Sequence, residues 1–180
     1  MIGLILAGGK STRFTNGDKA LFFDQKYNKT WLELAVEKME QVASTVYISA
    51  NPENYKKIEV LLPNYATKIV LDTPEFTGQG PLSGLYALST KRPNESLLVI
   101  SVDYPELSLT ALHALAERSN SYAVDTEGNA HFTIGHFYFS TKELHDYLLA
   151  GNRRVGSFLK QISANPFLLP SAQLINHNFD

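Results

Sequence analysis

Residues 4–21 read LILAGGKSTRFTNGDKAL, and the rest of the chain is organised around them. Met1 to Leu6 is an apolar run long enough for a buried strand. It closes on Ala7-Gly8-Gly9, where two glycines permit backbone angles and a ligand approach that a Cβ would block. Three cations follow, at Lys10, Arg13 and Lys19. A strand that stops in a glycine turn with cations behind it suits a polyphosphate. Backbone N–H groups cradle the oxygens and the cations offset their charge. The plainer reading is a strand-to-helix turn beside solvated cations.

Two commoner phosphate loops are excluded by spacing. A Walker A loop needs Gly, four residues, then Gly-Lys-Ser/Thr. Gly9-Lys10-Ser11 supplies the end, but the first glycine would fall at Leu4, and Gly3 is one residue off. The dinucleotide fingerprint G-x-G-x-x-G is absent, because Gly8 and Gly9 are adjacent and Thr12 stands where a glycine is needed.

Strand-like and helix-like segments alternate, which predicts a mostly parallel sheet with crossover helices. Thr30-Trp31-Leu32-Glu33 is a capping box, opening a helix with Leu32, Ala35, Val36 and Met39 on one face. Val46 to Ala50 is the next strand, with Pro52 placed to open a helix. Lys68 to Leu71 is a third strand, ending at Asp72; Gly80-Pro81 then leads a helix from Leu82. Leu97 to Val102 is a continuous apolar strand, hence central, and it ends at Asp103-Tyr104-Pro105. Leu107 to Leu115 is helical in pattern. Tyr122 to Val124 and Phe132 to Phe139 are later strands around a turn at Glu127-Gly128-Asn129. Ser140 to Glu143 is a second capping box, Val155 to Ile162 a last short helix, and Phe167 to Ile175 an extended tail. Ligands of an open α/β sheet sit beyond the carboxyl ends of its strands. Gly8, Asn51, Asp72 and Asp103 stand at four such ends.

Composition narrows the class. With 180 residues the chain holds one domain with a real core. A formal charge of −2 makes no electrostatic case for nucleic acid or an anionic membrane. The absence of cysteine excludes thiolate metal sites and cysteine nucleophiles. No apolar run approaches the roughly 20 residues of a membrane span. Met1-Ile2-Gly3 enters the first strand with no basic segment before it, so the expectation is a soluble cytoplasmic protein.

The opening stretch resembles the N-terminal signature of the nucleotidyltransferases, in the form L-A-G-G-x-S-x-R-M-G-x-x-K used by the molybdenum cofactor guanylyltransferases, the MobA family. Leu6-Ala7-Gly8-Gly9-Lys10-Ser11-Thr12-Arg13 matches it, and the spacing to Lys19 fits; Phe14-Thr15 replaces Met-Gly. The resemblance implies a single domain over 1–180, a Rossmann-like three-layer α/β/α sandwich. Its nucleotide-binding half spans about 1–105 and its acceptor-binding half about 106–180. It also implies transfer of GMP from GTP to the phosphate of molybdenum-bearing molybdopterin, with Mg²⁺ as cofactor. The other implied partners are the delivery proteins of molybdenum cofactor biosynthesis.

Residue by residue, the resemblance gives Asp103 the metal, as its Asp-x-Pro acid. A carboxylate at a strand end facing a phosphate site is a hard-oxygen ligand for Mg²⁺. Lys19 and Arg13 join Asp103 as catalytic residues, stabilising charge on the transferred and leaving phosphates. Leu6, Ala7, Gly8, Gly9, Lys19, Asn51, Asp72, Gly80 and Asp103 would contact the nucleotide. Asn51 and Asp72 would otherwise be capping or turn residues. Gly80-Pro81-Leu82-Ser83-Gly84 resembles the family's G-P-L-A-G segment. His131-Phe132-Thr133-Ile134 resembles its H-P-T-I stretch, but a lone strand histidine is more often structural, and His131 is given no role. Arg153, Arg154 and Asn176 would meet the acceptor. Two readings compete with guanylyl transfer: a cytidylyl- or uridylyltransferase with another phosphorylated acceptor, and a nucleotide-binding homologue without catalysis.

Overall fold

The computed structural model describes residues 1–8 and 18–177. The apolar opening run is strand β1 (Ile2–Leu6). After a one-turn 3-10 helix at Lys19–Leu21 comes a small antiparallel hairpin of β2 (Phe23–Asp24) and β3 (Lys29–Thr30). Helix α1 (Trp31–Met39) starts on the expected capping box: Thr30 Oγ1 accepts from Glu33 N while Glu33 reaches back to Thr30 N. Next come β4 (Val46–Ala50), α2 (Tyr55–Leu61), β5 (Lys68–Leu71), α3 (Pro81–Lys91) and β6 (Leu97–Ser101). The second half holds α4 (Leu109–Ala116), the strands β7 (Ser121–Val124) and β8 (Ala130–Phe137), α5 (Thr141–Leu149), α6 (Val155–Gln161) and β9 (Asn165–Leu168).

Seven strands form one sheet in the order β5-β4-β1-β6-β8-β7-β9. β5, β4, β1 and β6 are mutually parallel, and β8 alone runs against its neighbours β6 and β7. The mostly parallel sheet expected from the sequence is thus present. Alternation along β1 sends Ile2, Leu4 and Leu6 into an apolar cluster with α3, α5 and α6. Ile5 and Ala7 enter a second cluster, with α1, α2 and α4. Helices therefore cover both faces and make the three layers.

Three expectations need correction. Pro52 does not open a helix; α2 begins at Tyr55. Asn51 Oδ1 accepts from the backbone N–H groups of Glu53 and Asn54, and this Asx turn holds 52–54 outside the helix. The segment from Phe167 is no free tail, because β9 pairs in parallel with β7 and carries Pro166 on the sheet edge, where a missing N–H is tolerated. Helix α4 starts at Leu109 rather than Leu107, since Ser108 Oγ caps Ala111 N. Among the described residues, no helix is long and apolar enough to cross a membrane.

Candidate active site

The parallel strands β5, β4, β1 and β6 end side by side, so Asp72, Asn51, Gly8 and Asp103 come to one edge of the sheet. Gly8 packs close to the next strand end: a Cβ there would stand 3.1 Å from the Ala50 carbonyl carbon. Gly9 and Arg13, with Lys10, lie outside the described residues.

Asn54, which the motifs of the sequence do not single out, ties this edge together. It is buried, and its Nδ2 donates to the Ala7 carbonyl at 2.8 Å and to Asp18 Oδ2 at 2.7 Å. Its Oδ1 accepts from Asn51 N at 3.0 Å. Asp18 in turn caps the 3-10 helix, accepting from Ala20 N at 3.0 Å through Oδ1. The first residue of that helix is Lys19. Its Nζ lies 3.6 Å from Asp103 Oδ2, and both side chains are largely shielded from water. The signal for Asn54 was the spacing Asn51-Pro52-Glu53-Asn54 at a strand end, where amides cap turns.

Asn51 points its Nδ2 to the Gly8 carbonyl at 3.1 Å, and its Oδ1 holds the turn described above. Its amide thus braces the glycine loop. Leu6 and Ala7 have buried side chains, so only their backbone is available to a ligand. Asp72 Oδ2 accepts from Gly78 N at 2.8 Å and closes the loop that leads to α3. Gly80 caps that helix at φ 71°, a conformation that favours glycine, and Pro81 opens the first turn.

Asp103 is 8 % exposed, and its Oδ1 is buried with no hydrogen-bond partner among the described residues. A buried, unsatisfied carboxylate oxygen is costly unless something else binds it. A hard cation that keeps water and substrate phosphates as its other ligands fits one such oxygen. No cluster of three or more potential ligands is found among the described residues. The loop after Asp103 is held from two sides: Lys38 Nζ donates to the Pro105 carbonyl at 2.6 Å, and His177 N to the Asp103 carbonyl at 3.0 Å. Burial lowers the Lys38 pKa, an effect that Glu106 and Glu37 partly offset.

Next to this loop opens a cavity of about 590 Å³ lined by Tyr104, His131, Phe132, Thr133, Arg154 and Gly156 among others. Exposed Arg154 brings the positive charge of that lining. Arg153 is turned elsewhere: its Nε donates to Gln79 Oε1 and its guanidinium also meets the Leu148 carbonyl at 2.7 Å. It therefore bridges the α5–α6 turn to the loop before Gly80. Asn176 is exposed and hydrogen-bonds the Tyr104 hydroxyl; burial nonetheless raises the Tyr104 pKa.

A doubly covered, largely parallel sheet, with Lys19 of the 3-10 helix paired to Asp103 beyond the ends of its central strands, is an arrangement suited to a phosphate-bearing ligand, and the class is that of the nucleotidyltransferases. The chain belongs to the MobA-like NTP transferase domain family, which residues 3–165 match. It is 30% identical to a probable molybdenum cofactor guanylyltransferase of Geobacillus over 89% of this chain and 82% of that protein. It is also 30% identical to the molybdenum cofactor guanylyltransferase of Serratia proteamaculans, over 99% of this chain and 88% of the relative. The fold is shared with the molybdopterin-guanine dinucleotide biosynthesis protein A of Archaeoglobus fulgidus. That match has a TM-score of 0.66 at 20% identity and covers 97% of this chain and 85% of that one.

Proposed function

We propose that this enzyme transfers GMP from GTP to the terminal phosphate of molybdenum-bearing molybdopterin, releasing pyrophosphate. The observation that carries this reading is the Lys19–Asp103 pair at 3.6 Å, with one carboxylate oxygen left unpartnered among the described residues. In the reaction, an acceptor phosphate oxygen forms a bond to the α-phosphorus of GTP while the bond from that phosphorus to the bridging oxygen breaks. Pyrophosphate carries away the electron pair. The substrate phosphate is itself the nucleophile, so no protein nucleophile is needed.

Asp103 is the residue that would hold Mg²⁺, whose chemistry is to neutralise non-bridging phosphate oxygens. Lys19 supplies a fixed positive charge at the α-phosphate, where negative charge builds, and Arg13 does so for the leaving phosphates. The backbone of Leu6, Ala7, Gly8 and Gly9 cradles the nucleotide. Asn51 acts on it through the Gly8 loop, and Asp72 and Gly80 shape the side of the cleft nearest α3. These belong to the half of the chain up to about residue 105. The acceptor occupies the cavity beside Tyr104, contributed by the half from about residue 106, with Arg154 against its phosphate. Arg153 fastens that wall to Gln79, and Asn176 flanks Tyr104. The enzyme works in the cytoplasm, supplied by the delivery proteins of cofactor biosynthesis.

The test is nucleotide titration with Mg²⁺, followed by pyrophosphate release on adding the acceptor. Saturable GTP binding and release dependent on molybdopterin support the reading. Binding of CTP or UTP in preference to GTP overturns it.

A further inference from the structure

The wall of the acceptor cavity is held by side chains outside the nucleotide site. Asp125, in the β7–β8 turn, accepts from Glu127 N at 2.9 Å, Asn129 N at 2.8 Å and Asn129 Nδ2 at 2.9 Å. These bonds keep it an acceptor-only carboxylate. His131 Nε2 lies 3.4 Å from Asp125 Oδ2, and His131 Nδ1 lies 3.1 Å from the Tyr104 hydroxyl. Because Asp125 can only accept, Nε2 is the nitrogen that donates to it; in the neutral imidazole this leaves Nδ1 to accept from the Tyr104 hydroxyl. The rings of Tyr104 and His131 meet edge to face, 5.6 Å apart. Both line the cavity, and Tyr104 directly follows Asp103. One unbroken chain of hydrogen bonds thus runs from a hairpin turn to the residue next to the carboxylate assigned to the metal.

We infer that Asp125, His131 and Tyr104 form a positioning chain for the acceptor. Asp125 sets the tautomer of His131, His131 fixes the rotation of the Tyr104 hydroxyl, and the Tyr104 ring is held as the surface against which the acceptor is registered. The aromatic lining with a single cation among the described residues, Arg154, suits a phosphate monoester carried on a flat heterocycle. The inference rests on the reading above for the identity of the acceptor. Among the described residues, the chain's side-chain hydrogen bonds reach none of the side chains assigned to the nucleotide, so its main effect falls on the acceptor.

The experiment pairs two histidine substitutions. In His131→Asn the amide oxygen stands where Nδ1 stood and can still accept from Tyr104; in His131→Gln no acceptor remains there. With Mg²⁺, GTP and molybdenum-bearing molybdopterin, His131→Gln raises the acceptor KM about tenfold, the loss of roughly one hydrogen bond. The KM for GTP stays within about twofold, and His131→Asn recovers most of the loss. Nitrogen-15 NMR of the wild-type protein is expected to show His131 protonated at Nε2, a pattern lost in Asp125→Ala. Acceptor and GTP KM values that rise together, two histidine variants equally impaired, or the opposite tautomer each overturn the inference. A wild-type protein that transfers no GMP sinks the functional reading and the acceptor role with it. Normal wild-type transfer with an unmoved His131→Gln sinks only the positioning chain.

Discussion

Asn54 and Asp18 are joined side chain to side chain at 2.7 Å, and through that bond a residue after β4 governs where Lys19 begins its turn. Asn54 is 1 % exposed, and its amide also holds the Ala7 carbonyl at the end of β1. Asn54→Ala leaves a buried carbonyl and a carboxylate without their donor. The expected cost is about 1–3 kcal/mol of stability, read as a lower melting temperature. Transfer falls more than melting alone accounts for, because Asp18 no longer anchors Lys19; turnover measured well below the melting range separates the two.

Asp103→Asn keeps the shape and removes the charge. Loss of a group that binds or neutralises developing phosphate charge costs about 10²–10³ in kcat. Circular dichroism and melting are expected to stay near wild type, and pyrophosphate release at saturating GTP and Mg²⁺ is the measurement. Turnover within a factor of about three of wild type would remove Asp103 from the metal role.

Lys19→Met is expected to lower kcat by a comparable factor of about 10² while GTP binding weakens far less. A lysine that only neutralised the ground-state triphosphate would show the reverse split, with a large loss in binding and little in kcat.

Asp125 predicts a specific acid sensitivity. Hydrogen bonds, first among them the Asn129 side chain, lower its pKa from an ordinary 3.8 to about 2. The folded chain therefore binds this proton more weakly than the unfolded one. Its stabilising contribution is complete above about pH 4 and is lost as pH falls from there towards about 2. Melting temperatures recorded between pH 6 and pH 3 are expected to fall more steeply for the wild type than for Asp125→Asn, which has no carboxylate to protonate.

Gly84 tests the packing of α3 on the sheet. A Cβ there would sit 2.4 Å from Ser49 Oγ and 2.9 Å from Ser49 Cβ. Gly84→Ala is expected to destabilise by about 1–3 kcal/mol, through a forced shift of α3. Adding Ser49→Gly removes both contacts and recovers part of the melting temperature; a Gly84→Ala protein that melts like wild type contradicts the contact.

The strand ends carrying Gly8, Asn51, Asp72 and Asp103 were legible because buried parallel strands are apolar runs, and a polar residue at the close of each marks the ligand edge. The capping boxes at Thr30 and Ser140 were legible for a local reason: both partners lie within four residues. Asn54 was missed because its partners, Ala7 and Asp18, are distant in sequence. Pro52 was misread because a proline after a strand fits a turn as well as a first helical residue, and Asn51 decides between them through its side chain.

His131 was noticed in the sequence but given no role, since a lone strand histidine is more often structural; its neighbours become visible only in the topology. β8 runs against β6, with Leu97 opposite Phe137 and Val99 opposite Gly135, so the start of β8 reaches the edge where the parallel strands stop. A search of the carboxyl ends of strands finds Asp103 and passes over a residue at the opening of one. Only the pairing register shows that the two belong to the same neighbourhood.

The turn after β6 is stitched to residues more than sixty positions later: Ser108 Oγ donates to Gln173 Oε1 at 2.7 Å, and His177 N reaches the Asp103 carbonyl. A ribosome must therefore deliver residue 177 before this turn can be fastened. On a nascent chain the sheet core can assemble early, but the phosphate-handling apparatus waits for that late arrival. A half-made copy therefore lacks the tie that fixes the Asp103 turn.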